Sequence, residues 1–190
     1  MKYIADTVDF QLEEPTVVTL GKFDGRHRGH QKLLHTMEEL KETLGYATAI
    51  FTFSTAPLSL VTGEAATVIT TSEERRHNME KMGIDYLVEY PFTDDVRKMD
   101  PSVFVKDILV KRMRAKAMVV GPDCSFGYKG AGNVELLRSL SKELGFELHV
   151  IQKEKDHRRD ISSTYIREEL SLGNVAKANE LLGEPYAIHG

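Results

Sequence analysis

Two histidines lie three residues apart in a glycine-rich segment that reads Gly21-Lys22-Phe23-Asp24-Gly25-Arg26-His27-Arg28-Gly29-His30. The segment follows a β-branched apolar run and precedes an amphipathic stretch, so it is expected to join a strand to a helix. A helix N-terminus offers unpaired N–H groups and a positive dipole end, and glycines let a phosphate approach the backbone. Imidazole or imidazolium donors there can stabilise charge on an α-phosphate and on leaving pyrophosphate. The segment therefore predicts triphosphate binding and nucleotidyl transfer, which depends mainly on position and charge neutralisation.

Two other interpretations of these histidines stay open at this point. His27 and His30 could simply cap or pack the start of the helix. A His-x-x-His spacing can also bind zinc, and Asp24 is the nearby residue in sequence that could supply a third ligand. The spacing of the two histidines by itself favours phosphate binding over helix capping or packing and over zinc binding.

A second segment with anion-binding chemistry is Ile161-Ser162-Ser163-Thr164-Tyr165-Ile166-Arg167. Hydroxyl groups at a helix start, with an arginine one turn further on, form a site for β- and γ-phosphates. The alternative is an ordinary Ser/Thr cap followed by a surface arginine.

The elements that must position these residues alternate between short apolar runs and amphipathic helical patterns. This order predicts an α/β fold, a Rossmann-like doubly wound parallel sheet of about five strands with helices on both faces and two short C-terminal helices. Right-handed crossovers bring the carboxyl ends of the strands to one edge, where ligands bind. Residues 21–29, residues 121–132 and the loop after Ile151 are expected to meet there. The expected strands are residues 16–20, 47–53, 85–90, 117–120 and 146–151.

The composition of the whole chain narrows the class of protein. The chain has 190 residues, a formal net charge of −4 and one cysteine, Cys124. The charge gives no overall attraction to nucleic acid or anionic membranes, so neither is an expected partner. A single cysteine excludes an internal disulfide, and the N-terminus has no apolar signal core. A cytoplasmic protein with one domain over residues 1–185 is expected, and the oligomeric state is left open.

The order of motifs resembles a known family. The pattern Gly-x-Phe-Asp-Gly-x-His-x-Gly-His at residues 21–30 resembles the signature of the adenylyltransferase (FAD synthetase) module of prokaryotic bifunctional riboflavin kinase/FAD synthetases, in the nucleotidyltransferase superfamily. Residues 161–167 resemble its I-S-S-T-x-I-R element, and Gly121-Pro122-Asp123-Cys124-Ser125-Phe126-Gly127 is similar to its G-x-D-F-x-F-G. The resemblance implies a Rossmann-like fold that converts ATP and FMN to FAD and pyrophosphate. Mg²⁺ would be held mainly by the ATP phosphates and water, with no ligand from the protein.

The resemblance also implies roles for individual residues. It implies catalytic roles for His27, His30 and Arg167. It implies that the ATP-binding residues are Gly21, Phe23, Asp24, Gly25, Gly29, Ser162, Ser163 and Thr164. It implies that the flavin-binding residues are Pro57, Asp123 and Phe126. For Phe23 and Phe126 the physical alternative is a plain aromatic side chain of the core.

The sequence departs from the family pattern at several positions. A loop that commonly reads F-x-P-H-P is Phe53-Ser54-Thr55-Ala56-Pro57 here, which leaves the acceptor open. The alternatives are a nucleotidyltransferase with another phosphorylated acceptor, or a catalytically weak flavin- or nucleotide-binding regulatory module. Arg26 adds a positive charge where the family usually has valine, and Cys124 replaces a phenylalanine. Residues 186–190 resemble the start of a riboflavin kinase domain that this chain lacks, so no riboflavin phosphorylation is expected.

Overall fold

The structure is a computed structural model that describes residues 1–54 and 67–187. Within these ranges a six-stranded parallel sheet has the order β1-β4-β3-β2-β5-β6, and a separate two-stranded hairpin pairs β7 with β8. The strands are β1 (Lys2–Ala5), β2 (Thr16–Leu20), β3 (Ala47–Phe53), β4 (Tyr86–Tyr90), β5 (Ala115–Val120), β6 (Glu147–Val150), β7 (Lys155–Asp156) and β8 (Arg159–Asp160).

Helices connect the strands of the parallel sheet. The α-helices are α1 (Arg28–Leu44), α2 (Ser72–Lys81), α3 (Asp94–Arg97), α4 (Pro101–Val103), α5 (Val134–Leu144), α6 (Ser163–Ser171) and α7 (Val175–Leu182). A π-helix, Phe104–Arg112, continues α4, and a short 3₁₀ turn covers Tyr128–Gly130. The predicted α/β class, the parallel sheet and the two C-terminal helices are confirmed. In the described residues no helix is long and apolar enough to cross a membrane.

Local capping signals explain where several helices begin and end. Thr71 and Glu74 form a complete capping box at the start of α2, as their spacing predicts. Asp100 caps α4 by accepting hydrogen bonds from the N–H groups of Ser102 and Val103. Gly45 ends α1 in the left-handed conformation, with φ of 69°. These boundaries follow from residues close to them in sequence.

Side chains that alternate along the strands build one apolar layer on each face of the sheet. Val17 belongs to a layer with Leu34 and Met37 of α1, whereas Val18 belongs to a layer with residues of the π-helix and α5. Burial on both faces explains why the central strands are continuously apolar. A third cluster joins α6 and α7 to Ile69 and Ile161.

Three elements were not anticipated from the sequence. β1 is not one of the five expected strands, and it pairs in parallel with β4. The burial of its side chains does not alternate along the strand. The helix after Asp100 is mainly a π-helix, in which the Met113 N–H donates to the Ile108 carbonyl at 2.9 Å. The β7–β8 hairpin is too short to produce a periodic signal.

The strand order reverses between β2 and β5. From β2 the chain adds β3 and β4 on one side, and it then returns to add β5 and β6 on the other. A crevice at such a reversal, outside the carboxyl ends of the strands, is where open α/β sheets bind ligands. The glycine-rich segments that follow β2 and β5 both begin at this position.

Candidate triphosphate site

The two histidines of the first glycine-rich turn lie side by side at the start of α1. Their rings stack with centroids 3.6 Å apart and an interplanar angle of 21°. His27 is the N-cap of α1, and its Nδ1 accepts a hydrogen bond from the His30 backbone N–H at 3.3 Å. His30 Nδ1 lies 2.8 Å from the Gly25 carbonyl oxygen. The turn from Gly25 to His30 therefore fixes both rings together.

These contacts assign the proton on each neutral ring. The Gly25 carbonyl can only accept, so His30 carries its proton on Nδ1, whereas His27 accepts at Nδ1 and carries its proton on Nε2. Burial, with a smaller effect of His30, lowers the pKa of His27 to about 3. Burial also lowers the pKa of His30 to about 4. Both rings are therefore neutral near pH 7, and only His27 then has an N–H free of the turn.

The backbone of the turn needs glycine at position 25. Gly25 has φ of +70°, and a Cβ there would lie 3.0 Å from two carbon atoms of Ile69. At Gly29 an added Cβ would lie 3.1 Å from the His27 ring, and at Gly21 it would lie 3.3 Å from the Phe23 ring. The three glycines therefore keep the turn compact beneath the histidine rings.

The buried carboxylate of Asp24 connects this turn to two other segments of the chain. Its side chain is only 11% exposed. Oδ1 accepts hydrogen bonds from the backbone N–H groups of Ile69 (2.7 Å) and Thr70 (3.1 Å). Oδ2 pairs with Arg167 Nη1 at 2.6 Å. The carboxylate thus ties the turn to the segment before α2 and to α6.

The Ser162-to-Arg167 segment forms the beginning of α6 and lies against the same turn. Ser162 is the N-cap of α6 and accepts from the Tyr165 N–H at 3.2 Å. Ser163 Oγ donates to the Asp24 carbonyl oxygen at 2.6 Å. Arg167 Nη2 donates to Thr164 Oγ1 at 3.3 Å. Residues 21–30 and residues 161–167, the two segments in which the sequence predicts anion binding, are therefore joined by direct contacts.

The segment after β5 is linked to the last loops of the sheet edge. Lys153 Nζ lies 2.9 Å from an Asp123 carboxylate oxygen and 3.3 Å from an Asp160 oxygen. These two ion pairs raise the pKa of Lys153, with the Asp123 hydrogen bond as the largest cause. Lys153 was not singled out in the sequence, although its position just after the last strand could have suggested it. The flavin-binding prediction for Pro57 lies outside the described residues.

The two predicted aromatic site residues are both buried. Phe23 is 2% exposed and its ring lies 4.7 Å from that of His30, centroid to centroid. Phe126 is 7% exposed and packs against Phe104 with ring centroids 5.7 Å apart. Both rings are therefore packed as aromatic side chains of the core, which is the alternative to a binding role given for them above. Cys124 packs against the same core, and burial together with Asp123 raises the pKa of its thiol to about 12.

The extra charge at Arg26 is paired. Arg26 donates to both carboxylate oxygens of Glu184, through Nε at 3.1 Å and through Nη2. The pair joins the histidine turn to the residue just after the C-cap of α7. The sequence does not mark Glu184 as a site residue, because it lies 158 positions from Arg26 and nothing local identifies the two as partners.

The arrangement combines neutral imidazoles, a helix N-terminus and a guanidinium at one edge of the sheet. The helix N-terminus and the guanidinium suit the negative charge of a polyphosphate, and a neutral imidazole can donate a hydrogen bond to one of its oxygens. For the zinc alternative, residues 1–54 and 67–187 contain no group of three His, Cys, Asp or Glu side chains arranged to hold a metal ion. Asp24, the third ligand considered above, is instead occupied by Arg167 and two backbone N–H groups.

Comparison with known proteins shows a family match over most of the chain. A family model described as FAD synthetase matches residues 9–165. The bifunctional riboflavin kinase/FMN adenylyltransferase of Escherichia coli (strain K12) is 34% identical over 179 residues, which are 94% of this chain and 57% of that protein. The protein of the same description from Listeria monocytogenes is 32% identical over 186 residues, covering 97% of this chain and 59% of that protein. The chain therefore spans less than two thirds of the length of these relatives.

Solved structures share the fold. A protein from Streptococcus pneumoniae described as a macrolide-efflux protein superposes with a TM-score of 0.84 at 27% identity, over 100% of this chain and 63% of that chain. A pantoate-beta-alanine ligase from Francisella tularensis, described as complexed with beta-gamma ATP and beta-alanine, gives a TM-score of 0.55 at 12% identity, over 90% of this chain and 71% of that chain. The second likeness shows the fold alone.

Proposed function

The chain belongs to the FAD synthetase family, and from that premise we propose that it transfers the adenylyl group of ATP to FMN, giving FAD and pyrophosphate. FMN as the acceptor is supported by the curated relatives, which are described as FMN adenylyltransferases. ATP as the donor is supported by the chemistry of the histidine turn and of the α6 N-terminus.

One observation carries the proposal, namely the joining of two anion-binding segments through Asp24. Ser163 Oγ donates to its carbonyl and Arg167 pairs with its carboxylate, both at 2.6 Å. A helix N-terminus, hydroxyl groups and a guanidinium then surround one site, as the several phosphates of a nucleoside triphosphate require.

The reaction needs no nucleophile from the protein. An oxygen of the FMN phosphate attacks the α-phosphorus of ATP, the bond to the α,β-bridging oxygen breaks, and pyrophosphate leaves with the electron pair. In the proposed roles, the His27 Nε2–H donates to the triphosphate as charge develops, and His30 supports the His27 ring. Arg167 neutralises part of the charge of the β- and γ-phosphates, and the hydroxyls of Ser162, Ser163 and Thr164 are proposed to hydrogen-bond to them, Ser163 by exchanging its bond to the Asp24 carbonyl oxygen.

We propose that Mg²⁺ enters as part of the nucleotide substrate. The acidic side chain in the histidine turn, Asp24, already has both oxygens engaged. This donor chemistry fits a metal held by phosphate oxygens and water, where it would neutralise part of the triphosphate charge. The protein's own contribution is then position and hydrogen bonding.

Fewer structural observations support the proposed FMN site than support the proposed ATP site. Asp123, beside Gly121 at the reversal point of the sheet, and Phe126 stay proposed flavin-binding residues. Pro57 is also retained, although it lies outside the described residues. The departures at Thr55 and Ala56 keep a different phosphorylated acceptor as a second candidate.

The deciding experiment incubates the purified chain with Mg-ATP and FMN and measures FAD and pyrophosphate together. His27→Ala and Arg167→Ala are the site variants, and Glu143→Gln, which removes a surface ion pair with Lys106, is the matched control. FAD formation that both site variants lose and the control keeps supports the proposal. Pyrophosphate release only with another phosphorylated acceptor would favour the second candidate, and tight flavin binding without turnover would favour a regulatory module.

Riboflavin with Mg-ATP forms an additional arm of the same experiment. FMN formed in this arm would reveal a riboflavin kinase activity in residues 1–190 besides the proposed adenylyl transfer. The proposed location of the reaction is the cytoplasm, where ATP and FMN are both available to it.

A further inference from the structure

The geometry points to a second support for the histidine turn, built from the C-terminal end of α7: we propose that Glu184 and Gln31 are positioning residues for triphosphate binding. The inference deepens the proposed function and rests on its assignment of ATP to this turn. It concerns contacts of the turn that are separate from those of Asp24 and that are not proposed to touch the substrate.

Arg26 is the residue of the turn on which these contacts converge. Its guanidinium bonds to both oxygens of Glu184, and its carbonyl oxygen accepts from Gln31 Nε2 at 3.0 Å. The side chain and the carbonyl group of Arg26 are thus both held. A rotation of the backbone between Gly25 and His27 would break one of these hydrogen bonds. A bidentate guanidinium–carboxylate pair fixes orientation as well as distance.

Gln31 connects this residue to the end of α7. The same Nε2 that donates to the Arg26 carbonyl also donates to the Leu182 carbonyl at 2.7 Å. Gly183 follows with φ of +78°, and a Cβ there would lie 3.3 Å from Gln31 Nε2. The absence of a side chain at this position therefore lets the end of α7 approach α1 closely.

The position of Arg26 matters because its neighbours hold the histidines. The carbonyl of Gly25 binds His30 Nδ1, and His27 caps α1 through its own Nδ1. A rotation of the Arg26 peptide would move both of these atoms. Small displacements of groups that bind a reacting phosphate lower both binding and rate.

The turn is therefore held by two separate sets of contacts. Asp24 ties it to Ile69, Thr70 and Arg167. Arg26 and Gln31 tie it to residues 182–184. The end of α7 is thus a structural part of the triphosphate site, although it lies more than 150 residues further along the chain.

A double-substitution cycle with Arg26→Gln and Glu184→Gln distinguishes two effects. The pair can position the histidine turn, or it can act only through its charges on the triphosphate. The measured quantity is the Kd for α,β-methylene-ATP with Mg²⁺ in the absence of FMN. If the pair positions the turn, each single substitution raises Kd about three- to tenfold, and the double variant is no weaker than the singles. If only charge matters, Glu184→Gln tightens binding, Arg26→Gln weakens it, and the double variant returns to the wild-type value.

Gln31→Met keeps the length of the side chain and removes its two hydrogen bonds, so we expect a comparable rise in Kd. Glu143→Gln is the control at a remote ion pair and should leave Kd unchanged. In steady-state assays the KM for ATP should rise in the three positioning variants while the KM for FMN stays constant. A fold defect alone would not produce this split.

Opposite shifts for Arg26→Gln and Glu184→Gln, or unchanged Kd values in both, would overturn the inference. A wild-type chain that binds the analogue but makes no FAD would overturn the proposed function and leave the inference standing. A wild-type chain that does not bind the analogue would overturn both.

Discussion

The imidazole rings of His27 and His30 are stacked with centroids 3.6 Å apart, and each ring also holds a backbone atom of the turn that carries it. His27 therefore has two physical tasks. It caps α1 through Nδ1, and in the proposed reaction it donates through Nε2. These tasks can be separated by substitution.

His27→Ser should retain the helix cap and lose the imidazole donor, because serine is a good N-cap residue with a short side chain. We expect kcat for FAD formation to fall about 10²- to 10³-fold, as for the loss of one donor to a developing oxyanion. His27→Ala should lose the same activity and about 1 kcal/mol of stability as well, measured by urea denaturation. Equal stability of the two variants would contradict the capping role.

The buried histidines also predict a loss of stability in acid. Their folded-state pKa values, about 3 and about 4, lie below the ordinary histidine value of 6.5, so between these values the unfolded chain binds protons that the folded chain does not. Stability is then fully present above pH 6.5 and falls as the pH drops from 6.5 towards 4. The slope contributed by each histidine approaches about 1.4 kcal/mol per pH unit.

Urea denaturation at pH 7.5, 6.0 and 5.0 measures this dependence. His30→Gln should show a shallower dependence than the wild-type chain, because one of the two buried imidazoles is gone. His35→Gln is the matched control, since the His35 side chain is 72% exposed. A wild-type slope in His30→Gln would show that other groups dominate the acid response.

Much of the fold could be predicted because its signals are local. The capping box of Thr71 and Glu74 and the left-handed Gly45 use residues within one or two turns of the boundary they set. The order of strands and helices then places the segments after β2 and β5 at one edge by the general geometry of parallel sheets. The sequence therefore predicts where the histidine turn lies, and the family resemblance predicts that Arg167 meets the same phosphates, but neither predicts the direct contact between Arg167 and Asp24.

The contacts that could not be predicted join residues far apart in the chain. Arg26 and Glu184 are separated by 158 positions, and no pattern around either residue identifies the other. Lys153 meets Asp123 and Asp160 only because the loops after β5 and β6 are neighbours in the folded sheet. β1 was missed for the same reason, since its pairing with β4 is supplied by the sheet and not by its own four residues.

Two glycines with nearly the same backbone conformation should respond differently to alanine. Gly45 has φ of +69° and open space around an added Cβ, so Gly45→Ala should cost only about 1 kcal/mol and leave FAD formation unchanged. Gly25 has φ of +70° and Ile69 carbons 3.0 Å away, so Gly25→Ala should cost roughly 2–4 kcal/mol. Its activity should fall as well, because the Gly25 carbonyl holds His30.

Urea denaturation and initial rates of FAD formation compare the two alanine variants under the same conditions. Equal losses of stability would mean that Ile69 moves aside at little cost. Full activity in Gly25→Ala would mean that the position of the His30 ring does not depend on this carbonyl.

The pairing of Arg167 with Asp24 predicts that stability and activity respond separately to substitution of these residues. Arg167→Gln leaves the buried Asp24 carboxylate without its cation, so we expect a loss of about 1–3 kcal/mol in the free energy of unfolding. Asp24→Asn retains an oxygen that can accept from the Ile69 and Thr70 N–H groups while removing the charge. In the double variant the unpaired charge is gone, so stability should recover towards the wild-type value. FAD formation should stay low, because Arg167 is then absent from the triphosphate.

Denaturation curves and FAD assays on the two single variants and the double variant complete this cycle. Stability losses that simply add would show that the two residues act independently, against the 2.6 Å contact between them. An active double variant would show that Arg167 serves only to neutralise Asp24, and that the phosphates are held by the α6 N-terminus and its hydroxyls without it. Low activity with recovered stability would show that the Arg167 guanidinium binds the triphosphate, because a loss of folding stability could not then explain the loss of activity.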